Sequence, residues 1–258
     1  MTEKEKQQAG ELYNGNDREL FAERIAAKKL CAEYNAVPYN DFQKRDRLLD
    51  RLIAFHGENT WIEANFFCDY GYNIVMGDNF YSNHNLVILD CAEVIFGDNV
   101  FIGPNCGFYT AGHPLDYPTR NQGLEFAKPI KVGSNVWIGG NVCVMPGVTI
   151  GDNVVIGGGS VVTKDIPSGY VAAGNPCKPI RRIEDGETAV QPQANGEAAA
   201  SEASKEEPKT EVKAEDRAPQ SRPVRLHRPE PVKNNASAPK RREIRLEEVK
   251  KKLSYKED

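Results

Sequence analysis

No stretch of the 258-residue chain approaches the roughly 18 apolar residues that a membrane span requires. Its first residues, MTEKEKQQAGELY, contain no apolar segment of the kind a secretory signal needs. Excess charge is scarce too: 33 Lys+Arg against 37 Asp+Glu leave a net charge of -4, which gives no general reason to expect nucleic acid or an anionic membrane as partner. The six cysteines (Cys31, Cys68, Cys91, Cys106, Cys143, Cys177) lie far apart with no CxxC pair. That spacing argues against a disulfide framework and for reduced thiols used as small buried hydrophobes. Together these absences predict a cytoplasmic protein without membrane contact.

One region is poor in almost everything a core needs. The stretch from Glu184 to Asp258 holds a single aromatic, Tyr255, and seven of the sixteen prolines. Such a stretch cannot offset the ordering of its backbone, about 1–2 kcal/mol per residue. Its acidic and basic residues are equal in number and cancel, but in opposed blocks: acidic as far as Gln220, basic from Ser221 onward. Residues 184–258 are expected to be a disordered, charged tail. Its basic end is expected to be part of a solvated tether, with contact to nucleic acid or a membrane as the minor alternative.

What the rest of the chain has is repetition. From Val132 it divides into sixes: VGSNVW, IGGNVC, VMPGVT, IGDNVV, IGGGSV and VTKDIP. Every first position is aliphatic (Val132, Ile138, Val144, Ile150, Ile156, Val162), and the fifth is small or β-branched. FGDNVF from Phe96 and IGPNCG from Ile102 share the frame, whereas MGDNFY from Met76 repeats it out of phase. A period of six is neither a helix face nor a hairpin strand. It describes a mainly β solenoid of short strands, aliphatics stacked inward and Gly or Asn at the corners, where positive φ is tolerated. Three hexads per coil would make a triangular prism, each side one hexad long.

The hexads resemble those of the hexapeptide-repeat acyltransferases, and residues from about 4 to 183 resemble the maltose and galactoside O-acetyltransferases, the maltose type most. The resemblance rests on AGELY (Ala9–Tyr13), CDYGYNI (Cys68–Ile74), TAGHP (Thr110–Pro114), KPIKVGSNVWIGG (Lys128–Gly140), PGVTIGDNVVIG (Pro146–Gly157), VVTKDIP (Val161–Pro167) and AAGNPCKPI (Ala172–Ile180). It covers the foldable part and none of the tail. It implies a left-handed parallel β-helix, acetyl-coenzyme A as co-substrate and a homotrimer with each active site between two subunits.

Three regions follow. Residues 1–57 are expected to be a helical cap, since Asn16 or Asp17 can cap a helix reading RELFAERIAAKKLCAEYN, with Leu20, Ile25, Leu30, Cys31 and Tyr34 on one stripe. A second helix is expected from about Asp41 to Phe55. The cap closes the open end of the prism. Residues 58–183 form the β-helix, and residues 108–130, where the hexad grammar lapses, read as an extruded loop of the kind that carries function.

Acyl transfer to a hydroxyl needs a base, donors for the developing oxyanion, and a means of holding two substrates together. Of four histidines, His113 sits in the extruded loop, at the position that the resemblance marks as catalytic; an imidazole, with an ordinary pKa of about 6.5, can accept a proton near neutrality. A zinc centre of three histidines is set aside, because His56 precedes the repeats and His227 lies in the tail, leaving only His84 and His113. The resemblance implies an acceptor pocket of Asp17, Asp69, Asn83, Asp90 and Glu125. The galactoside enzymes place two successive acidic residues where this chain has Asp90-Cys91, which weakens a galactoside assignment. On the donor side it implies Trp137 against the pantetheine arm, backbone N–H groups of Gly139 and Gly140 at the thioester oxygen, Gly158 for close approach, and Thr163, Lys164, Lys178 and Arg181 along the coenzyme.

The expected activity is transfer of acetyl from acetyl-coenzyme A to a hydroxyl of a small sugar resembling maltose or glucose. The attack is direct, with His113 as general base and no acyl-enzyme. Two alternatives stand beside it: a related acetyltransferase for an oligosaccharide, an antibiotic or serine, and a non-catalytic β-helix scaffold.

Overall fold

The computed structural model describes residues 1–187. Three helices lead the chain. Helix α1 (Glu3–Ala9) opens on a capping box between Thr2 and Glu5 and closes at Gly10 with φ 74°. Strand β1 (Tyr13–Asn14) follows. Helix α2 (Arg18–Asn35) is the expected RELFAERIAAKKLCAEYN segment, capped by Asp17. It buries Leu20, Ala27, Cys31 and Tyr34, whereas Ile25, expected on the same stripe, is exposed. Helix α3 (Phe42–Leu52), capped by Asp41, stops before Phe55, which belongs to a strand. Helix α1 has no counterpart among the helices expected from the sequence.

The remainder is a parallel β-solenoid of five full coils and part of a sixth. The first coil is β2 (Phe55–His56), β3 (Trp61–Ile62) and β4 (Phe67–Cys68). The second is β5 (Ile74–Met76), β6 (Tyr81–Ser82) and β7 (Val87–Leu89), and the third is β8 (Val94–Phe96), β9 (Phe101–Ile102) and β10 (Gly107–Tyr109). An excursion then carries β11 (Ala111–Gly112), a turn of helix α4 (Tyr117–Arg120) and β12 (Leu124–Ala127). The fourth coil is β13 (Ile130–Val132), β14 (Trp137–Ile138) and β15 (Cys143–Val144), and the fifth is β16 (Thr149–Ile150), β17 (Val155–Ile156) and β18 (Val161–Val162). Strand β19 (Tyr170–Ala173) joins the second face, and β20 (Lys178–Arg182) folds back on it antiparallel.

Two rows of each hexad point inward. The first-position residues Val132, Ile138, Val144, Ile150, Ile156 and Val162, and the fifth-position residues Val136, Val142, Val148, Val154, Ser160 and Ile166, are all buried. All but Ser160 belong to one continuous apolar core that runs from the helical cap to Cys177.

The coil length is not constant. The step from one coil to the next is 20 between Asn59 and Asn79, 18 between Ser134 and Asp152, and 16 between Asp152 and Ser168. Three uninterrupted hexads per turn, the expected arrangement, therefore describe only the step from the fourth coil to the fifth. Met76 pairs with Phe96, so MGDNFY is in structural register although it is out of phase in sequence.

The two regular corners explain the hexad consensus. Asn59, Asn79, Asn99 and Asn135 stand at one corner and Asn65, Asn85, Asn105 and Asn141 at the next, all with φ between 56° and 66°. Asparagine tolerates this region better than other residues with a Cβ. Their amides form ladders from coil to coil, Asn59 to Asn79 at 2.9 Å, Asn79 to Asn99 at 3.0 Å and Asn85 to Asn105 at 2.7 Å. Beside the first ladder runs a second, in which Asp98 and Asp152 accept N–H groups of the preceding coil, at 2.8 Å from Asp78 and 2.6 Å from Ser134. The GDN triplet is therefore a stacking unit.

Candidate active site

All the variation in coil length falls at the third corner. Inward residues Met76, Ser82 and Ile88 are six apart, but Ile88 is eight from Phe96; likewise Cys68 is eight from Met76. The surplus residues widen the third corner at Asp69–Asn73 and again at Asp90–Glu93. In the next coil the same corner is opened by the whole excursion between β10 and β13.

Buried polar side chains stitch these wide corners together. Asp90 is fully buried, and its Oδ1 accepts the N–H groups of Asp69 at 3.0 Å and Tyr70 at 2.9 Å. Thr110, also fully buried, accepts the N–H of Ala92 at 3.0 Å and donates to the Leu89 carbonyl at 2.6 Å. Burial pushes the Asp90 carboxyl up to about 7 against the pull of those N–H donors. Asp90, expected to meet the acceptor, is thus placed inside the scaffold with an oxygen already engaged.

Asp69, one coil earlier, is the carboxylate that reaches the surface. It is half-buried, and desolvation raises its pKa while Lys28 and Arg24 pull it down. Cys91 lies beside it, Sγ to Oδ2 3.7 Å, its thiol pushed up to about 12 chiefly by burial, so it acts as a weak donor.

The N-terminal segment closes over this edge. Strand β1 pairs antiparallel with β12, which pairs with β11, making a three-stranded sheet outside the solenoid. Under it Tyr13, Leu20, Tyr70, Cys91 and Ala127 form a second small core. The Tyr70 hydroxyl accepts from Arg24 at 2.7 Å and from Gln7 at 3.3 Å. Asp17, expected in the acceptor pocket, spends its carboxylate on the start of α2, accepting from Glu19 and Leu20 at 2.9 and 3.3 Å.

His113 follows β11 directly and is exposed. Its Nδ1 lies 3.1 Å from the Leu124 carbonyl on β12. A carbonyl only accepts, so Nδ1 carries the proton and Nε2 is the free lone pair, turned away from the contact that orients the ring. Glu125 is the next residue on β12, and its Oε2 accepts the Tyr13 hydroxyl at 2.9 Å.

Most of the remaining expected residues lie elsewhere on the prism. Asn83, Gly139, Gly140 and Gly158 are at the second corner, and Trp137 is about half exposed (51%) on the face before it, between Phe101 and Val155. Gly139 does not offer a free donor, because its N–H bonds the Ile156 carbonyl at 2.8 Å. Gly139 is glycine for packing: a Cβ there would fall 2.5 Å from the Gly158 nitrogen. A Cβ on Gly158 would stand 3.1 Å from the Gly140 carbonyl, so these glycines let neighbouring coils touch. Asn83 Oδ1 accepts the His84 N–H at 2.7 Å. Thr163 and Lys164 are exposed after β18, and Lys178 and Arg181 are exposed on β20. His113 and Asp69 thus share one edge of the prism with Glu125, Thr163 and Lys164, while Asn83, Gly139, Gly140 and Gly158 line another.

Tyr13, Tyr70, Arg24 and Thr110 take part in this edge without being expected there. Tyr13, Tyr70 and Thr110 lie inside the strings AGELY, CDYGYNI and TAGHP, but nothing local shows that position 13 meets position 125.

An open prism with a histidine-bearing excursion defines the class of hexapeptide-repeat transferases. Two family models match: the maltose acetyltransferase hexapeptide capping motif over residues 6–57, and the bacterial transferase hexapeptide of six repeats over residues 129–164. The galactoside O-acetyltransferase of Escherichia coli (strain K12) is 45% identical over 181 residues, 70% of this chain and 89% of that one. The crystal structure of a maltose O-acetyltransferase from Clostridium difficile 630 is similar with a TM-score of 0.71 and 50% identity, covering 72% of this chain and 99% of that one. A hexapeptide-repeat acetyltransferase from Vibrio cholerae, solved with acetyl-coenzyme A, shares 38% identity at a TM-score of 0.66, over 72% of this chain and all (100%) of the other. The chain belongs to the maltose and galactoside O-acetyltransferase family and is an acetyltransferase.

Proposed function

We propose that the protein transfers the acetyl group of acetyl-coenzyme A to a hydroxyl of a small sugar of the maltose or glucose type. The observation that carries this reading is the contact of His113 Nδ1 with the Leu124 carbonyl: with Nδ1–H spent there, the neutral ring keeps Nε2 as a base at an exposed position. Nε2 takes the proton of the acceptor hydroxyl as its oxygen attacks the thioester carbonyl carbon. The carbon–sulfur bond then breaks, and the imidazolium returns the proton to the departing thiolate. The Gly140 N–H, at the second corner, makes no backbone hydrogen bond among the described residues and suits the developing oxyanion. Trp137, Gly158, Thr163, Lys164, Lys178 and Arg181 would hold the coenzyme, and Asp69, Asn83 and Glu125 the acceptor.

On one chain, His113 and Gly140 occupy different edges of the prism. This favours a homotrimer in which the base of one subunit faces the donor groove of the next. Among the described residues no helix is long and apolar enough to cross a membrane, which suits the expected cytoplasmic location. The expected tail of residues 184–258 lies, from 188 on, outside the described residues; we carry it as a tether that the reaction does not need.

The test is an acceptor panel with acetyl-coenzyme A, following release of free thiol, with His113→Ala as control. Acceptor-dependent release from maltose or glucose, lost in the variant, is the expected result. No release from any sugar overturns the acceptor class, and equal release by His113→Ala overturns the mechanism.

A further inference from the structure

The carboxylate of Glu125 sits in a shaped seat. Tyr13 and Glu125 face each other in the β1–β12 pairing, and the phenol donates to Oε2 at 2.9 Å. Tyr13 is fully buried among Leu20, Tyr70, Cys91 and Ala127, so its hydroxyl has little freedom. Gly15 forms the other wall. A Cβ there would fall 2.5 Å from Oε1 and 2.7 Å from the carboxyl carbon. Its φ is not positive, so the backbone does not demand glycine at this position; the carboxylate does. The Gly15 carbonyl is held in turn by Arg24 at 2.5 Å.

The partner chosen for this carboxylate is unusual. Among the described residues Glu125 makes no ion pair, and its hydrogen bond is to a neutral phenol. A structural carboxylate at a partly exposed site is commonly matched by a cation or by backbone N–H groups, as Asp17 is here. Glu125 instead has Oε2 fixed and Oε1 unspent, and Leu124, beside it on β12, supplies the carbonyl that orients His113.

We propose that Tyr13 and Gly15 are positioning residues that hold Glu125 so that its Oε1 accepts a hydrogen bond from an acceptor hydroxyl next to the one acetylated. The inference rests on the sugar-acetylating reading. It makes the N-terminal segment part of acceptor recognition through two specific atoms, the Tyr13 hydroxyl and the missing Cβ of Gly15.

The experiment is a double-mutant cycle on the full chain with Tyr13→Phe, Gly15→Ala, Glu125→Gln and the Tyr13→Phe/Glu125→Gln pair. Each single change is expected to lower kcat/KM for the acceptor by about ten-fold or more, the scale of one hydrogen bond to a charged group, while KM for acetyl-coenzyme A stays unchanged. The double variant should be no worse than Glu125→Gln alone, because both act through one contact. A double loss equal to the product of the single losses overturns the proposal. So does a Tyr13→Phe variant with wild-type kinetics, or one that raises both KM values together. Thermal midpoints recorded alongside identify a folding defect in Tyr13→Phe. In that case Gly15→Ala decides the matter, since it displaces the carboxylate without removing a buried group. If the wild type acetylates only a non-sugar acceptor, the sugar reading fails, and the same cycle run on that acceptor judges Tyr13 and Gly15.

Discussion

The first two corners of the prism and the third are built from the same chain on opposite terms. At the first two, the first four coils each repeat an asparagine at positive φ, and side-chain amide bonds join Asn59 through Asn135 at one corner and Asn65 through Asn105 at the other, so these corners copy their neighbours. At the third, the step between coils shrinks along the prism on either side of a long excursion, and each corner is held by a different buried group, Asp90 in one coil and Thr110 in the next. The difference teaches where a repeat protein can keep chemistry. Copying gives stability, and only an interrupted edge can present unlike residues such as Asp69, His113 and Glu125 side by side.

The contrast predicts that changes at the exposed side chains of the third edge alter rate more than stability. The largest effect is expected from His113→Ala, a loss of about 10²–10⁴ in kcat if the proposed general base is removed. Because the ring is exposed, the thermal midpoint should hardly move. A variant that loses activity only in proportion to its unfolded fraction would break the comparison.

The counterpart in the regular part is Ile138→Ala. Ile138 is fully buried in the stack between Ile102 and Ile156, so a loss of about 2–5 kcal/mol in unfolding free energy is expected by denaturant titration. The folded fraction should keep its turnover.

Asp90 sharpens the contrast through pH. Its carboxyl, raised to about 7 by burial, binds more protons in the folded chain than in the unfolded one between about pH 4 and pH 7. Unfolding free energy from this group therefore falls as pH rises through that window. Asp90→Asn removes the titration, and its stability should vary less with pH there than the wild type's, as measured by melting midpoints across the range.

A smaller change is expected at Asn99. Replacing it with Ala interrupts the ladder to Asn79 and Asn135 and leaves a Cβ at φ 56° without the local support asparagine gives, costing about 1–2 kcal/mol. Asn99→Gly should cost less, because glycine meets no penalty there. The smallest effect belongs to removal of residues 188–258, for which acetylation and assembly are expected to remain at wild-type levels in a thiol-release assay and in light scattering.

Much of this was readable in the sequence. The inward rows of Val132, Ile138 and their successors follow from period and hydrophobicity alone, and Asp17 marked the start of α2 because a short acceptor side chain before a helical run has one obvious use. The phase slip at Met76 was visible as well, but its cause was not. Two extra residues at a corner change the count without changing the pattern. His113 and Asp90 both stand out through their motifs, but the burial of Asp90 was not legible. A carboxylate in a motif looks the same whether it points into a cleft or caps a turn from within. The Tyr13–Glu125 contact was beyond reach, since it joins strands whose pairing depends on the three-dimensional course of the excursion.

The ladders at the first two corners have a consequence for how such a protein can change over generations. They fix which residue lies above which without reference to the length of the third side. Insertions and deletions there leave the frame of every other strand intact, so a lineage can lengthen, shorten or exchange whole loops on one edge with little risk to folding. The polymer physics of two corners thereby grants evolutionary freedom to the third, and relatives of this protein should differ in length there before they differ anywhere else along the coil.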